Sequence, residues 1–186
     1  MPARRHADSL AVPPVPGTLD APVFREAMSR LAAGVTIVAA RDDAGRCRGF
    51  TATSVTSASL EPPLLLVGIA RTSSCYPVFR TAREFTVNIL KEGHQHLARR
   101  FAVSGIDRFA EGGFTEWRDG GPPCLDDAHV SLYCAALDMI PLGDHELLVG
   151  RVIEARLPSP EDAPLVWYRR AFGSVTAGSR PPSLTD

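Results

Sequence analysis

The chain has 186 residues, of which 45% are hydrophobic and 22% charged, and its formal net charge is −1. That length suits one compact domain with a substantial core and is short for two. A nearly neutral balance supplies no global field for nucleic acid or an anionic membrane, so any bound phosphate has to be gripped locally. Residues 1–19 contain Arg4 and Arg5 followed by Val12-Pro13-Pro14-Val15-Pro16-Gly17, without an apolar stretch of signal-peptide length, and read as a flexible arm. Asp20 then offers an N-cap, Pro22 suits a first helical turn, and Val23, Phe24, Ala27, Met28 and Leu31 recur at helical spacing. A short amphipathic helix is therefore predicted, closed by Gly34.

Val35 to Arg41 reads as a strand, Asp42-Asp43-Ala44-Gly45 as a turn, and Cys47 to Thr53 as the returning strand of a hairpin. The end of that strand and the stretch before the continuous apolar strand Leu64 to Ala70 hold Thr51, Thr53, Ser54, Thr56, Ser57 and Ser59. A core strand has no need of so many hydroxyls. The segment reads as a loop whose N–H groups and hydroxyls converge on an anion such as a phosphate. The alternative is a polar crossing that satisfies its own backbone through Ser/Thr turns.

Ser73 or Ser74 can cap a short helix that tolerates Pro77 in its first turn, and Phe85, Val87 and Ile89 alternate with Thr86 and Asn88 in a further strand. Gln95 to Val103 reads as helix, and Asp107 to Pro123 as an irregular, glycine-rich excursion holding Trp117 as a packing residue. Ala128 to Met139 and His145 to Leu157 are predicted to pair as a long hairpin around Gly143-Asp144, and residues 177–186 read as a flexible tail. The fold class expected is mainly β with short helices, in one domain over residues 20–176. There is no Gly-x-Gly-x-x-Gly or Walker loop. His94 and His96 point to different sides of a helix and make a poor metal pair, so no metal site is expected. Cys47, Cys75, Cys124 and Cys134 are irregularly spaced and read as reduced thiols of a cytoplasmic protein. The apolar run at Leu64 to Ala70 is far short of the ~20 residues of a membrane helix.

The pattern Gly49-x-Thr51-Ala52-x-Ser54-x-x-Ser57-x-Ser59-Leu60-x-Pro62-Pro63-Leu64 resembles the flavin-binding segment of the short-chain NAD(P)H:flavin reductases, the small components of two-component flavin monooxygenases. Further blocks match in the same order: Phe24-Arg25-x-Ala27-Met28-x-Arg30-Leu31-x-x-Gly34-Val35-Thr36, Phe85-x-Val87-Asn88-Ile89-Leu90, Asp107-Arg108-Phe109, and Gly143-Asp144-His145 with Gly150-x-Val152. Ala70-Arg71-Thr72 and Pro77-Val78-Phe79 look most like the type found in aromatic polyketide antibiotic pathways. The resemblance spans roughly residues 22–175 and implies a split β-barrel, a homodimer, and hydride transfer from NADH or NADPH to FMN, with FAD as an option. It also implies a separate flavin-dependent monooxygenase as partner.

By the same resemblance, Gly34, Thr51, Ala52, Thr53, Ser54, Val55, Thr56 and Ser57 would border the flavin, with Ala70, Arg71 and Thr72 beside them and Arg71 bonded to its phosphate. Asn88 would face the flavin side of the barrel, Arg108 would approach a phosphate, and Phe109 would pack near the flavin. His145 would reach the bound dinucleotide and position it for hydride transfer. Arg99 and Arg100 read as a solvated helix face. Near the end the family pattern has a Gly and a terminal Tyr where this chain has Arg170 and Phe172, so an aromatic plane remains for stacking but the hydroxyl does not. Two other readings use the same barrel: a flavoprotein that keeps its flavin and reduces another acceptor, or a non-enzymatic flavin or haem carrier.

Overall fold

A computed structural model describes Gly17, residues 19–158 and residues 162–175. Most of the expected N-terminal arm and the C-terminal tail lie outside the described residues. The first element, α1 (Ala21–Ser29), starts behind Asp20 with proline in its first turn and stops well before Gly34. None of its residues is buried, so Val23, Phe24 and Met28 stand on the surface. Gly34 does not close this helix: Ala33–Gly34 forms a short strand, β1.

The next strands are β2 (Thr36–Arg41), β3 (Cys47–Ala52), β4 (Val55–Ser59) and β5 (Leu64–Ala70). They are followed by α2 (Tyr76–Thr81), β6 (Glu84–Ile89), a 3-10 turn at Glu92–His94 and α3 (Gln95–Ala102). The expected irregular excursion contains a small hairpin of β7 (Phe114–Glu116) and β8 (Pro123–Leu125). The long hairpin forms as predicted, from β9 (Val130–Leu142) and β10 (His145–Arg156), and the chain ends in β11 (Leu165–Tyr168) and β12 (Ala171–Ser174). Its turn is closed by the pair Leu142 and His145, with Gly143 at φ 60°, where a side chain would be strained.

The main sheet runs β3-β2-β6-β9-β10-β5-β4. Its two edges, β3 and β4, are consecutive pieces of chain separated by Thr53 and Ser54 alone, and a link that short forces the sheet to curl onto itself. The segment expected as a loop is thus mostly strand, kinked at Thr53 and Ser54, and it carries the chain from one edge of the sheet to the other. Gly68 N donates to Ser54 O at 3.3 Å and Ser54 Oγ donates to Gly68 O at 3.1 Å, which extends the β4–β5 ladder into this link. Thr and Val favour this pleated, half-buried setting, which is why hydroxyl-rich sequence reads as strand here.

Alternation then sorts side chains to the two faces of the curled sheet. Val38, Ala40, Ala52, Val67, Ile69, Phe79, Phe85 and Leu148 fill the interior. Val35, Ile37 and Ala39 point the other way and build a second core with Leu90, Phe101, Leu125 and Leu165, part of it beneath α3. Gly150 is required by packing, because a Cβ there would overlap the Phe85 ring. A separate small sheet, β1-β11-β12, is stitched to the barrel by Val35 N to Leu165 O (2.9 Å) and Leu165 N to Leu90 O (2.8 Å). Trp117 packs as expected, buried and stacked on Tyr133 at 5.7 Å.

Candidate active site

The outward face of β3, the near face of α3 and the β11–β12 hairpin enclose a cleft of about 680 Å³. On α3, Gln95, Ala98, Arg99 and Ala102 recur at i, i+3, i+4 and i+7, the spacing of one helical face, and all line it. Thr51 comes from β3 and Thr53 from just beyond its end, and Trp167 and Phe172 from the hairpin. Thr51 Oγ1 donates to Ala98 O at 2.7 Å, which fixes helix against strand. Trp167 and Phe172 meet edge to face at 4.9 Å, and the Arg99 guanidinium lies over the Phe172 ring at 5.1 Å.

The hairpin reverses through Arg169 and Arg170, both left-handed at φ 50° and 61°. A two-residue hairpin of this hand favours Asn-Gly, and each non-glycine residue held there costs roughly 1 kcal/mol. Arg169 N donates to Ser29 O at 2.6 Å and Arg170 pairs with Glu26 at 3.2 Å, so α1 braces the turn. Arg170 also lines the cleft, and among the described residues no acidic one does.

A second group of side chains stands beyond the kink. The register pairs Ala70 with His145, and Arg71 N donates to Asp144 O at 3.1 Å. His145 is exposed, and its Nδ1 lies 2.8 Å from Asp144 Oδ1. A carboxylate only accepts, so Nδ1 carries the proton and Nε2 is presented outward. That hydrogen bond from His145 holds the Asp144 carboxyl below its ordinary range. On the opposite face of β10, buried Glu146 accepts from the Tyr76 hydroxyl and pairs with Arg71 Nε at 3.5 Å. Burial, and then the bond to Glu146, push the Tyr76 phenol up, so it stays a donor.

The sequence-predicted residues therefore separate. Thr51, Thr53 and Phe172 meet in the cleft, and Gly34 lies next to its wall at Val35. Ala70, Arg71, Thr72 and His145 cluster at the end of β5, and the exposed Ser54 bridges the two groups through Gly68. Thr56 and Ser57 stand exposed on β4, while Ala52 and Val55 turn into the barrel interior.

Asn88 does not face the flavin side. It is fully buried, its amide donating to Ile37 O and Thr86 Oγ1 and accepting from Leu125 N and Ser131 Oγ at 2.9–3.1 Å. Arg108 is likewise spent on the protein, donating to Val103 O (2.8 Å), Gly49 O (2.6 Å) and Cys75 Sγ (2.9 Å). Phe109 packs against Phe101 and Phe114, each at 4.9 Å. Arg71 keeps its position but is compensated by Glu146. Arg99, expected on a solvated helix face, lines the cleft instead, a placement its i, i+3, i+4, i+7 spacing on α3 signals, and Trp167 joins it with no motif to mark it.

The flavin reductase like domain model matches residues 28–176 of the chain. The chain belongs to the flavin reductase-like family. Among its relatives, it is 50% identical over 153 residues to the NADH:riboflavin 5′-phosphate oxidoreductase of Streptomyces pristinaespiralis, covering 82% of this chain and 87% of that protein. It is 40% identical to the actinorhodin polyketide dimerase of Streptomyces coelicolor, covering 89% and 93%. Among solved flavin reductase-like structures, the Streptomyces globisporus NADH:FAD oxidoreductase SgcE6, in complex with NAD and FAD fragments, superposes with a TM-score of 0.78 at 27% identity, over 84% of this chain and 93% of that one. BorF, the flavin reductase component of a bacterial two-component tryptophan halogenase, gives a TM-score of 0.78 at 28% identity, over 86% and 100%. These likenesses bear out the expected family and its split-barrel type of fold.

A flavin suits the residues present. The cleft volume lies within the roughly 300–1,000 Å³ of small-molecule sites. Its aromatic plates and the bordering strand backbone suit a flat heterocycle with a polar edge.

Proposed function

We propose that this protein is an NADH:flavin oxidoreductase that reduces FMN, with FAD as a second substrate, and releases the reduced flavin to a separate monooxygenase. The carrying observation is the cleft with its aromatic walls and acid-free lining, in a chain half identical to a relative named for NADH and riboflavin 5′-phosphate. The hydride donor and acceptor atoms belong to the two cofactors. What the chain supplies is placement.

In this reading the flavin lies along Thr51 to Ser57, bordered by Gly34 and Phe172. Ala70, Arg71 and Thr72 flank it on the side of His145. His145, set by Asp144 with Nε2 outward, hydrogen-bonds the nicotinamide nucleotide and holds it for transfer. Asn88 and Arg108 act by fixing β2, β6 and the loop after α3 rather than by contact.

The functional unit in this reading is a homodimer. On β5, Leu64 and Leu66 alternate with buried Leu65 and Val67 and face outward half-exposed, and Leu147 and Val149 do the same on β10. An outward sheet face so aliphatic is suited to a second copy of the chain rather than to water. No helix among the described residues is long and apolar enough to cross a membrane, and the four cysteines are free, which agrees with a cytoplasmic setting.

Replacing His145 by alanine tests the nicotinamide assignment. The expected result is a several-fold rise in the KM for NADH with the FMN dissociation constant unchanged. Equal loss of both would contradict it.

A further inference from the structure

The cleft contains two guanidinium groups to which the reading above gives no task. Arg100 is ion-paired with Glu111, but among the described residues no carboxylate pairs with its neighbour Arg99, which is held instead over the Phe172 ring. Among the described residues Arg170 pairs with Glu26 alone, and that carboxylate also pairs with Arg30 at 3.4 Å. One acid shared between two arginines leaves an excess of positive charge beside a cleft whose described lining holds no acid.

The other cations expected at a phosphate are otherwise engaged. Arg71 is compensated by Glu146 and stands next to Asp144, and Arg108 is consumed by two carbonyls and a sulfur. Arg170 also sits where glycine would relieve a left-handed turn, so the chain keeps a side chain there against the backbone preference.

We propose that Arg99 and Arg170 clamp the phosphate of a nucleotide whose flat ring packs beside Trp167 and Phe172. This rests on the reading that the cleft holds a cofactor of the reaction. A guanidinium matches phosphate oxygens bidentately, and the stacking of Arg99 on Phe172 pre-organises it for that contact. Two nucleotides of the reaction carry such a phosphate: the flavin 5′-phosphate and the diphosphate of the nicotinamide dinucleotide.

Calorimetric titration of the wild type, Arg99→Gln and Arg170→Gly with FMN, riboflavin and ADP-ribose separates the sources. A flavin phosphate in the clamp predicts a roughly tenfold weaker FMN affinity in both variants, with riboflavin and ADP-ribose unaffected. A dinucleotide phosphate predicts the same loss for ADP-ribose alone. Arg170→Gly relaxes the turn, so its Tm should equal or exceed that of the wild type and exclude misfolding as the cause. Wild-type affinities retained in both variants would overturn the clamp. A lowered Tm with riboflavin weakened as much as FMN would make Arg170 structural and overturn its part. A wild type that binds no flavin and no ADP-ribose would instead overturn the assignment of the cleft.

Discussion

Four arginines near the site look alike in the sequence, and the fold gives each a different fate. Arg108 is spent on the carbonyl of Gly49, 59 residues away, and Arg71 on Glu146, far off in sequence on the neighbouring strand β10. No local pattern announces such partners, so a motif that places a basic residue near a phosphate could not say which arginine keeps its donors. Asn88 shows the same limit. Alternation assigns it correctly to the face opposite Phe85, Val87 and Ile89, but that face is a second core instead of a cavity. Asn88→Ala would strand buried partners on three segments, and should destabilise the protein by roughly 3 kcal/mol in urea unfolding. A loss below about 1 kcal/mol would show that the network is dispensable.

The acid end of the stability profile is also set by single residues. Asp42 accepts from the backbone N–H groups of Arg46 (2.9 Å) and Ala44 (3.0 Å), which, with the Arg46 side chain, hold its carboxyl below the ordinary 3.8. Asp144 is held low in the same direction, chiefly by His145. A lowered folded-state value means that the unfolded chain takes up protons first as the pH falls. Both contributions are thus complete above the ordinary aspartate range and are lost as the pH drops through the folded values. Asp42→Asn should therefore flatten the fall of Tm below about pH 4 without changing its slope near neutrality. A variant as acid-sensitive as the wild type would contradict this.

At the scale of elements, periodicity was legible wherever one face is buried: β2, β5, β6 and the β9–β10 hairpin follow their apolar patterns. The hydroxyl-rich segment is not a loop, because β4 lies on the outside of a barrel closure where small polar side chains meet solvent and Gly68 leaves room for Ser54. Helix α1 has the expected amphipathic pattern, yet its apolar residues are exposed within the single chain. Gly150 ties element to core. Gly150→Ala forces the Phe85 ring to move and should cost about 1–3 kcal/mol, read as a lowered Tm. An unchanged Tm would mean that the barrel interior has slack there.

For the molecule as a whole, length and composition speak only to size and class, whereas the curling of the sheet comes from connectivity that composition does not carry. The outward aliphatic stripe of β5 and β10 is a whole-molecule feature, visible only once the two strands lie side by side. A homodimer through that stripe predicts twice the chain mass in sedimentation, and Leu147→Asp should shift the protein to monomer and weaken flavin turnover. A wild-type monomer at micromolar concentration would remove the dimer from the account.

In the proposed function flavin passes through this protein as a substrate reduced by NADH. Anaerobic mixing of the protein with excess NADH and many equivalents of FMN, followed by flavin absorbance, tests it directly. The whole flavin pool should be bleached. Bleaching of only one equivalent per chain, or none, would contradict it.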